Sequence, residues 1–497
     1  MKAFADLEAW LVVGSQDLYG DEALAQVAED VGRVAAALDG DEQLPIRVVA
    51  KPVLKSADSI LRLVDQANSS DQCVGLIAWM HTFSPAKMWI AGLGALRKPL
   101  AHLHTQFNRD LPWSDIDMAF MNLHQSAHGD REFGHIVTRM GRPRSVIAGH
   151  WQDPAVAGRL DRWARAAVAL HDGRRLRLVR FGDNMRQVAV TEGDKVEAQI
   201  VLGAEVNTYA VTELAAAVQQ VPDSQVKQLT SAYGDAYRLD PSLEPGAERH
   251  DSLRDAARME IAIRQFLDQR GATAFTDTFE DLGDLPHLPG IGVQRLMADG
   301  YGFGAEGDWK TAILVRLLKT MARRKPGGTS FMEDYTYHLA PDGMAVLGAH
   351  MLEVCPSIAA DTPSCEIHPL SIGGKPDPVR LVFDAKPGRA VIVGMADLGD
   401  RLRLVANRVQ VIDPPAKLPR LPVARAVWRP EPDLATAAEA WILSGAPHHT
   451  AFSSALDLDD IIELAELAGL ELLTIDAATT IGDVRKELRW NQAHYAR

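Results

Sequence analysis

The chain has 497 residues, 47% of them hydrophobic, and a formal net charge of -14 at pH 7. That length predicts about three domains with ample core, and the acidic balance excludes nucleic acid and anionic membrane, which both need a basic footprint. Three cysteines, Cys73, Cys355 and Cys365, with no C-x-x-C spacing, exclude a disulfide framework and a thiolate metal site and fit a reducing cytosol. No secretory leader pattern and no run of 18 apolar residues is found, so a soluble cytoplasmic protein with a small ligand or a protein partner is expected.

In chain order, residues 10–13 read as a buried strand and 14–20 as a loop. Leu24, Val27, Val31, Val34 and Leu38 then recur at spacings of 3 and 4, one apolar stripe of a helix. Further strands are expected at 46–53, 73–80, 99–104 and 145–149, with helices at 56–67 and 85–96. This alternation predicts a parallel, doubly wound sheet whose ligands gather at the carboxyl ends of strands, where the Gly14-Ser15-Gln16 loop sits. Neither a G-x-G-x-x-G fingerprint nor a P-loop is present, which argues against a dinucleotide or ATP. A second α/β set runs from 176–181 to 274–281, and the polar, Pro- and Gly-bearing stretch 222–254 reads as an irregular excursion. Beyond about residue 325 the runs 379–383, 390–395 and 401–405 are short and alternating, split by Lys386-Pro387-Gly388 and Asp397-Leu398-Gly399-Asp400, as in antiparallel hairpins. Helices follow at 433–443 and 458–467. The expected architecture is α/β: two doubly wound α/β domains, 1–175 (Rossmann-like) and 176–325, then a β-rich, antiparallel barrel-like domain, 326–497.

Candidate chemistry concentrates between 301 and 353. Glu306, Glu333 and His350 are separated by 27 and 17 residues, too far for one helix turn, and His449 lies 99 residues further on. Two carboxylates and two imidazoles make a donor set of intermediate hardness, suited to Mn2+ or Co2+, and paired carboxylates can pass a proton across a sugar C1–C2 unit. A single Glu is more often a solvated surface group, and a His beside Met351-Leu352 is more often a hydrogen-bonded core residue. The setting weakens the surface reading for the two carboxylates: Glu306 stands among Gly302, Gly304, Gly307 and Trp309, and Glu333 follows Gly327-Gly328 and Phe331-Met332. His102 and His104 alternate along a strand and so share a face, yet their neighbours look like ordinary strand-end packing. Gln16, Tyr19, Phe83, His128, Met185 and Phe279 are loop-end candidates for lining a sugar pocket, although such aromatic residues serve cores first.

The segments Gly14-Ser-Gln-Asp-Leu-Tyr-Gly20, Trp79-Met-His-Thr-Phe-Ser-Pro-Ala-Lys-Met-Trp89, His104-Thr-Gln-Phe-Asn108, Phe181-Gly-Asp-Asn-Met-Arg186, Glu306-Gly-Asp-Trp-Lys310, Gly328-Thr-Ser-Phe-Met-Glu-Asp-Tyr335, His350-Met-Leu-Glu-Val-Cys-Pro-Ser357 and His448-His-Thr450 resemble, in order, the bacterial L-arabinose isomerases. The resemblance implies an aldose–ketose isomerase that converts L-arabinose to L-ribulose, with D-galactose to D-tagatose as a second conversion. It also implies one divalent ion per subunit, Mn2+ or another such as Co2+, and a homohexamer with active sites at subunit interfaces. Carried over by position, the metal ligands fall on Glu306, Glu333, His350 and His449, and the acid/base pair of a cis-enediol route on Glu306 and Glu333. Pocket positions fall on Gln16, Leu18, Tyr19, Phe83, His128, Met185, Phe279, Phe331 and Ile372, the N-terminal ones reaching into a neighbouring subunit's site. Ala446-Pro447 restrains the backbone before the His pair, and His449 rather than His448 is taken as the ligand. Two other classes compete: a non-catalytic sugar-binding protein, since doubly wound domains often only bind, and a metal-dependent hydrolase, disfavoured by the lack of a Lys or Arg cluster near the carboxylates.

Overall fold

The computed structural model describes residues 2–370 and 372–495. They divide into two compact units, one running to His171 and including Ile462–Gly469, the other Asp172–Ile461 with the residues from Leu470 on.

The first unit is built on β1 (Glu8–Val13), β2 (Arg47–Ala50), β3 (Cys73–Trp79), β4 (Leu100–His104) and β5 (Ser145–Ala148), all parallel in the order β2-β1-β3-β4-β5. Helices cover both faces, so β3 is buried throughout and reads as a continuous apolar run. Alternate residues of β1 serve different cores. Ala9, Leu11 and Val13 pack with the helical stripe Val27, Val31, Val34 and Leu38, while Trp10 and Val12 pack with Ile60, Leu63 and Val64 on the other side. The chain leaves β1 for β2 on one flank and reaches β3 on the other. The crevice at the carboxyl ends of β1 and β3 is therefore the topological switch point, where ligands of such sheets bind.

The second unit opens with β6 (Arg177–Phe181) and β7 (Glu205–Tyr209). It continues through the short β8 (Arg238–Leu239) to β9 (Ala274–Thr276) and β10 (Gly302–Gly304). Four of these form a parallel sheet in the order β10-β9-β6-β7. The stretch expected to be irregular is instead ordered. Asp223–Ala236 is a helix that buries Val226, Thr230 and Tyr233, an i, i+4, i+7 stripe masked in the sequence by polar neighbours, and a second helix, His250–Arg270, starts before residue 254.

After β10 comes the helix Trp309–Met321, buried on almost every side, which is the signature of a helix at the centre of a unit. Asp308 caps it, accepting from Thr311 N. A Cβ at Gly304 would lie 2.2 Å from the Asp308 carbonyl oxygen, so glycine is what lets β10 run against the start of this helix.

The β-rich part holds β11 (Thr329–His338), β12 (Ala345–Ala349), β13 (Ser364–Ile367), β14 (Val379–Val382), β15 (Gly388–Asp397), β16 (Leu402–Ile412), β17 (Arg425–Pro430), β18 (His449–Ser453) and β19 (Glu471–Ile475). Antiparallel neighbours follow the order β15-β18-β11-β12-β17-β16, and β16 pairs back onto β15, closing a barrel; β19 joins β16 in parallel. The hairpin expected around Asp397-Leu398-Gly399-Asp400 is the β15–β16 pair, in register from Gly388↔Val411 to Asp397↔Leu402. Among the described residues no helix is long and apolar enough to cross a membrane.

Candidate active site

Three adjacent strands and one loop bring the central candidates together. Glu333 lies on β11, flanked by Ala349 of β12 on one side and His449 of β18 on the other, and His350 follows Ala349 directly. Glu306 comes from the loop between β10 and the capped helix. It is held there in the left-handed region, φ 63°, and a Cβ on the following Gly307 would meet Asn184 Cα at 2.5 Å. The Met185 amide donates to the Glu306 carbonyl (3.1 Å), so the loop after β6 and the Glu306 loop are tied to each other.

Ligand atoms of Glu306, His350 and His449 all lie within 4.8 Å of one another, the sole group of three or more His, Cys, Asp or Glu of this kind among the described residues. Glu306 Oε2 is 3.7 Å from His449 Nε2, and Glu333 Oε2 is 3.9 Å from His350 Nε2. Each imidazole is gripped from behind by a buried carboxylate. His350 Nδ1 meets Glu353 Oε2 at 2.5 Å, and His449 Nδ1 meets Asp308 Oδ2 at 3.2 Å. A ring held through Nδ1 presents Nε2 as its free donor atom, the usual arrangement behind a metal-binding histidine. His449 Nε2 is buried and makes no hydrogen bond. Phe331, fully buried, packs edge-on against both rings with centroids 5.0 Å and 5.1 Å away, so it serves as a wedge that sets their tilt.

The electrostatics fit a site built to take positive charge. Burial alone would depress the His350 pKa, but Glu353, Glu333 and Glu306 outweigh it and push it up to about 9. Glu333 is raised, first by burial and then by Glu306 and Glu353. Asp277, just after β9, is pushed up to about 8, first by burial and then by Glu353, with His350 opposing. Asp308 moves the other way despite its burial: Lys310 and the His449 hydrogen bond bring it down to about 2.

The remaining sequence candidates fall into two groups. Met185, Phe279, Phe331 and Ile372 belong to the second unit, and a Cβ at Gly373, next to Ile372, would approach the Phe279 carbonyl at 3.5 Å. Gln16, Leu18, Tyr19, Phe83 and His128 belong to the first unit and gather at its switch point. Gln16 Nε2 donates to the Phe83 carbonyl (3.2 Å), the Phe83 and His128 rings are 4.6 Å apart, and Leu18 is 82% exposed. Gln125, which the sequence reading passed over, joins them by donating to the Tyr19 hydroxyl (3.1 Å). His102 and His104 do share a face, but both bind the Asp130 carboxylate, at 3.0 Å and 2.9 Å. His448, the rejected half of the pair, and Glu333, one of the four expected ligands, both lie outside the Glu306, His350 and His449 group.

Sequence models of the L-arabinose isomerase N-terminal, central and C-terminal domains match residues 3–175, 177–324 and 328–471. The chain belongs to the L-arabinose isomerase family. It is 60% identical to the L-arabinose isomerase of a Nocardioides species over 99% of this chain and 98% of that one. It is 57% identical to that of Herpetosiphon aurantiacus (98% and 97% covered) and 54% identical to that of Thermotoga neapolitana (98% of each). The protein is accordingly an enzyme of the aldose–ketose isomerase class, which sets aside the binding-only and hydrolase readings. The Glu306, His350 and His449 triad has the donor set for a divalent metal.

Proposed function

We propose that this chain interconverts L-arabinose and L-ribulose at the centre around Glu306, Glu333, His350 and His449, with one divalent ion, Mn2+ or a relative such as Co2+, per subunit. The observation that carries the metal reading is the buried, unpartnered Nε2 of His449 aimed at Glu306. A buried imidazole nitrogen left without a hydrogen bond is costly unless something else occupies it. When bound, the ion supplies Lewis acidity at the C1 carbonyl and offsets charge developing on O1 and O2.

In this reading the protein's own groups move the protons. One of Glu306 and Glu333 removes the C2 proton of the open-chain aldose, giving a cis-enediol. The other assists proton movement between O1 and O2, after which C1 is protonated. Burial, with Glu306 and Glu353 nearby, raises the Glu333 pKa above the ordinary carboxylate value, which supports a part for it in proton transfer. Met185, Phe279, Phe331 and Ile372 shape the sugar pocket from this unit. We further propose a cytoplasmic homohexamer, in which Gln16, Leu18, Tyr19, Phe83 and His128 of a neighbouring subunit complete the pocket. The strong exposure of Leu18 supports an intermolecular role, and three buried free cysteines support a reducing compartment. D-galactose matches L-arabinose at C2 to C4 and adds one CH2OH, so it is proposed as a weaker second substrate.

The test is ketose formation from L-arabinose by chelator-stripped protein with and without Mn2+. Turnover restored by the metal is expected, and folded protein that makes no ketose with any divalent ion overturns the reading. Running the reaction in 2H2O separates the routes: solvent hydrogen at C1 of the ketose is expected, and complete retention of the substrate's hydrogen would replace the enediol with a hydride shift.

A further inference from the structure

We propose that Lys310 is a positioning residue for the centre: its buried ammonium group fixes the Asp308 carboxylate, which holds the His449 ring with Nε2 directed at Glu306. This deepens the metal reading above and rests on it. Lys310 is 1% exposed, on the first turn of the central helix, where a lysine side chain would ordinarily reach water. Its Nζ lies 3.5 Å from Asp308 Oδ1 and donates to the Glu192 carbonyl at 2.5 Å. Asp308 is itself fully buried. Its Oδ2 accepts from Thr311 Oγ1 (2.7 Å) and faces His449 Nδ1, and its Oδ1 accepts from Thr311 N (3.2 Å).

The two oxygens of Asp308 are thus used differently: one takes the imidazole and the Thr311 hydroxyl, and the other takes the ammonium group and the Thr311 amide. That division sets the plane of the carboxylate, and through it the plane of the ring. Replacing Lys310 with a neutral side chain removes the ammonium group beside Asp308 Oδ1. The ring then loses its fixed direction although every proposed ligand is still present. Lys310 has a second hold on the centre. A Cβ at Gly193 would meet Lys310 Cδ at 3.2 Å and Asp397 Oδ2 at 3.0 Å, and the Asp194 amide donates to that same Asp397 oxygen. The segment over Lys310 therefore continues the loop whose Met185 is tied to Glu306.

The experiment is a titration of the chelator-stripped full-length chain with Mn2+, reading free ion by electron paramagnetic resonance, so no turnover is needed. Wild type, Lys310→Met, Asp308→Asn and the double variant are compared, with circular dichroism as the check on folding. Lys310→Met is expected to weaken Mn2+ binding about tenfold or more, as removing a partner behind a ligand does, and the double variant to bind no more weakly than Asp308→Asn alone. Should the Met variant fail to fold, Lys310→Gln, which keeps a donor for the Glu192 carbonyl, takes its place with the same expectation. A folded Lys310 variant that binds Mn2+ as tightly as wild type overturns the proposal, and so do losses that multiply in the double variant. Wild-type protein that takes up no Mn2+ overturns the metal reading, and the role of Lys310 falls with it.

Discussion

Both units hold histidines against buried carboxylates, and among the described residues only the second unit makes a triad able to ligate a cation. In the first unit Asp130 receives His102, His104 and the Met80 amide, and Asp30 receives His81 Nε2 at 2.7 Å. The Nδ1 atoms of His81 and His102 are buried and make no hydrogen bond to the protein. In the second unit each carboxylate takes one imidazole through Nδ1, and both Nε2 atoms turn toward glutamates. A histidine–carboxylate pair is therefore an orienting device and no more. What makes a centre is two such devices facing each other across a space with carboxylates at its rim.

The largest test of that contrast lies at the rim. Glu306→Gln and Glu333→Gln should each lower turnover by about 100-fold or more, the scale of a positioned acid or base; a variant that keeps half its turnover removes that residue from the mechanism. Next comes the orienting layer. Glu353→Gln keeps shape but not charge behind His350 and should weaken Mn2+ binding by about 10- to 100-fold, read by the same resonance titration. Asp130→Ala in the first unit should do the reverse: it leaves Mn2+ affinity alone and costs about 3 kcal/mol of stability in urea unfolding, as for breaking a buried pair. If Asp130→Ala loosens the metal as much as Glu353→Gln does, the two regions are not distinct in function.

The smallest effect is in pH. The Asp130 hydrogen bond raises the His104 pKa, with burial and Arg131 opposing. A raised folded-state value means stability that is full below the unfolded value of about 6.5 and is lost as pH climbs through the folded one. The urea midpoint of wild type should exceed that of His104→Gln by most near pH 5.5, with the gap narrowing toward pH 8. A gap that widens over that range contradicts the sign.

Much of this was legible in the chain. The stripe from Leu24 to Leu38, the apolar run at 73–79 and the hairpin around Gly399 follow from periodicity and turn chemistry. Glu306 and Glu333 drew notice because glycines and bulky apolar residues surround them, whereas His350 and His449 were carried by the resemblance, since a His beside Met351-Leu352 or after Gly445 reads first as a core or loop residue. Asp308 and Glu353 were within reach too, since each lies two or three residues from a candidate ligand, but nothing local says that a nearby acid points at a ring rather than at water. Asp277 gave no local sign: its raised pKa comes first from burial in the fold and then from Glu353, 76 residues away in sequence. The helix Asp223–Ala236 was hidden because its stripe of Val226, Thr230 and Tyr233 is set among polar residues in a stretch that also carries several Pro and Gly.

Glu306 is one of three non-glycine residues with a left-handed backbone among those described. Such a conformation costs on the order of 1 kcal/mol in a residue with a Cβ, and glycine or asparagine would relieve it. On the role proposed for Glu306, heat tolerance and turnover are set against each other at this position. A laboratory selection for thermostability alone, with no demand for product, would then be drawn to Glu306→Gly and would enrich folded protein stripped of the proposed acid/base group.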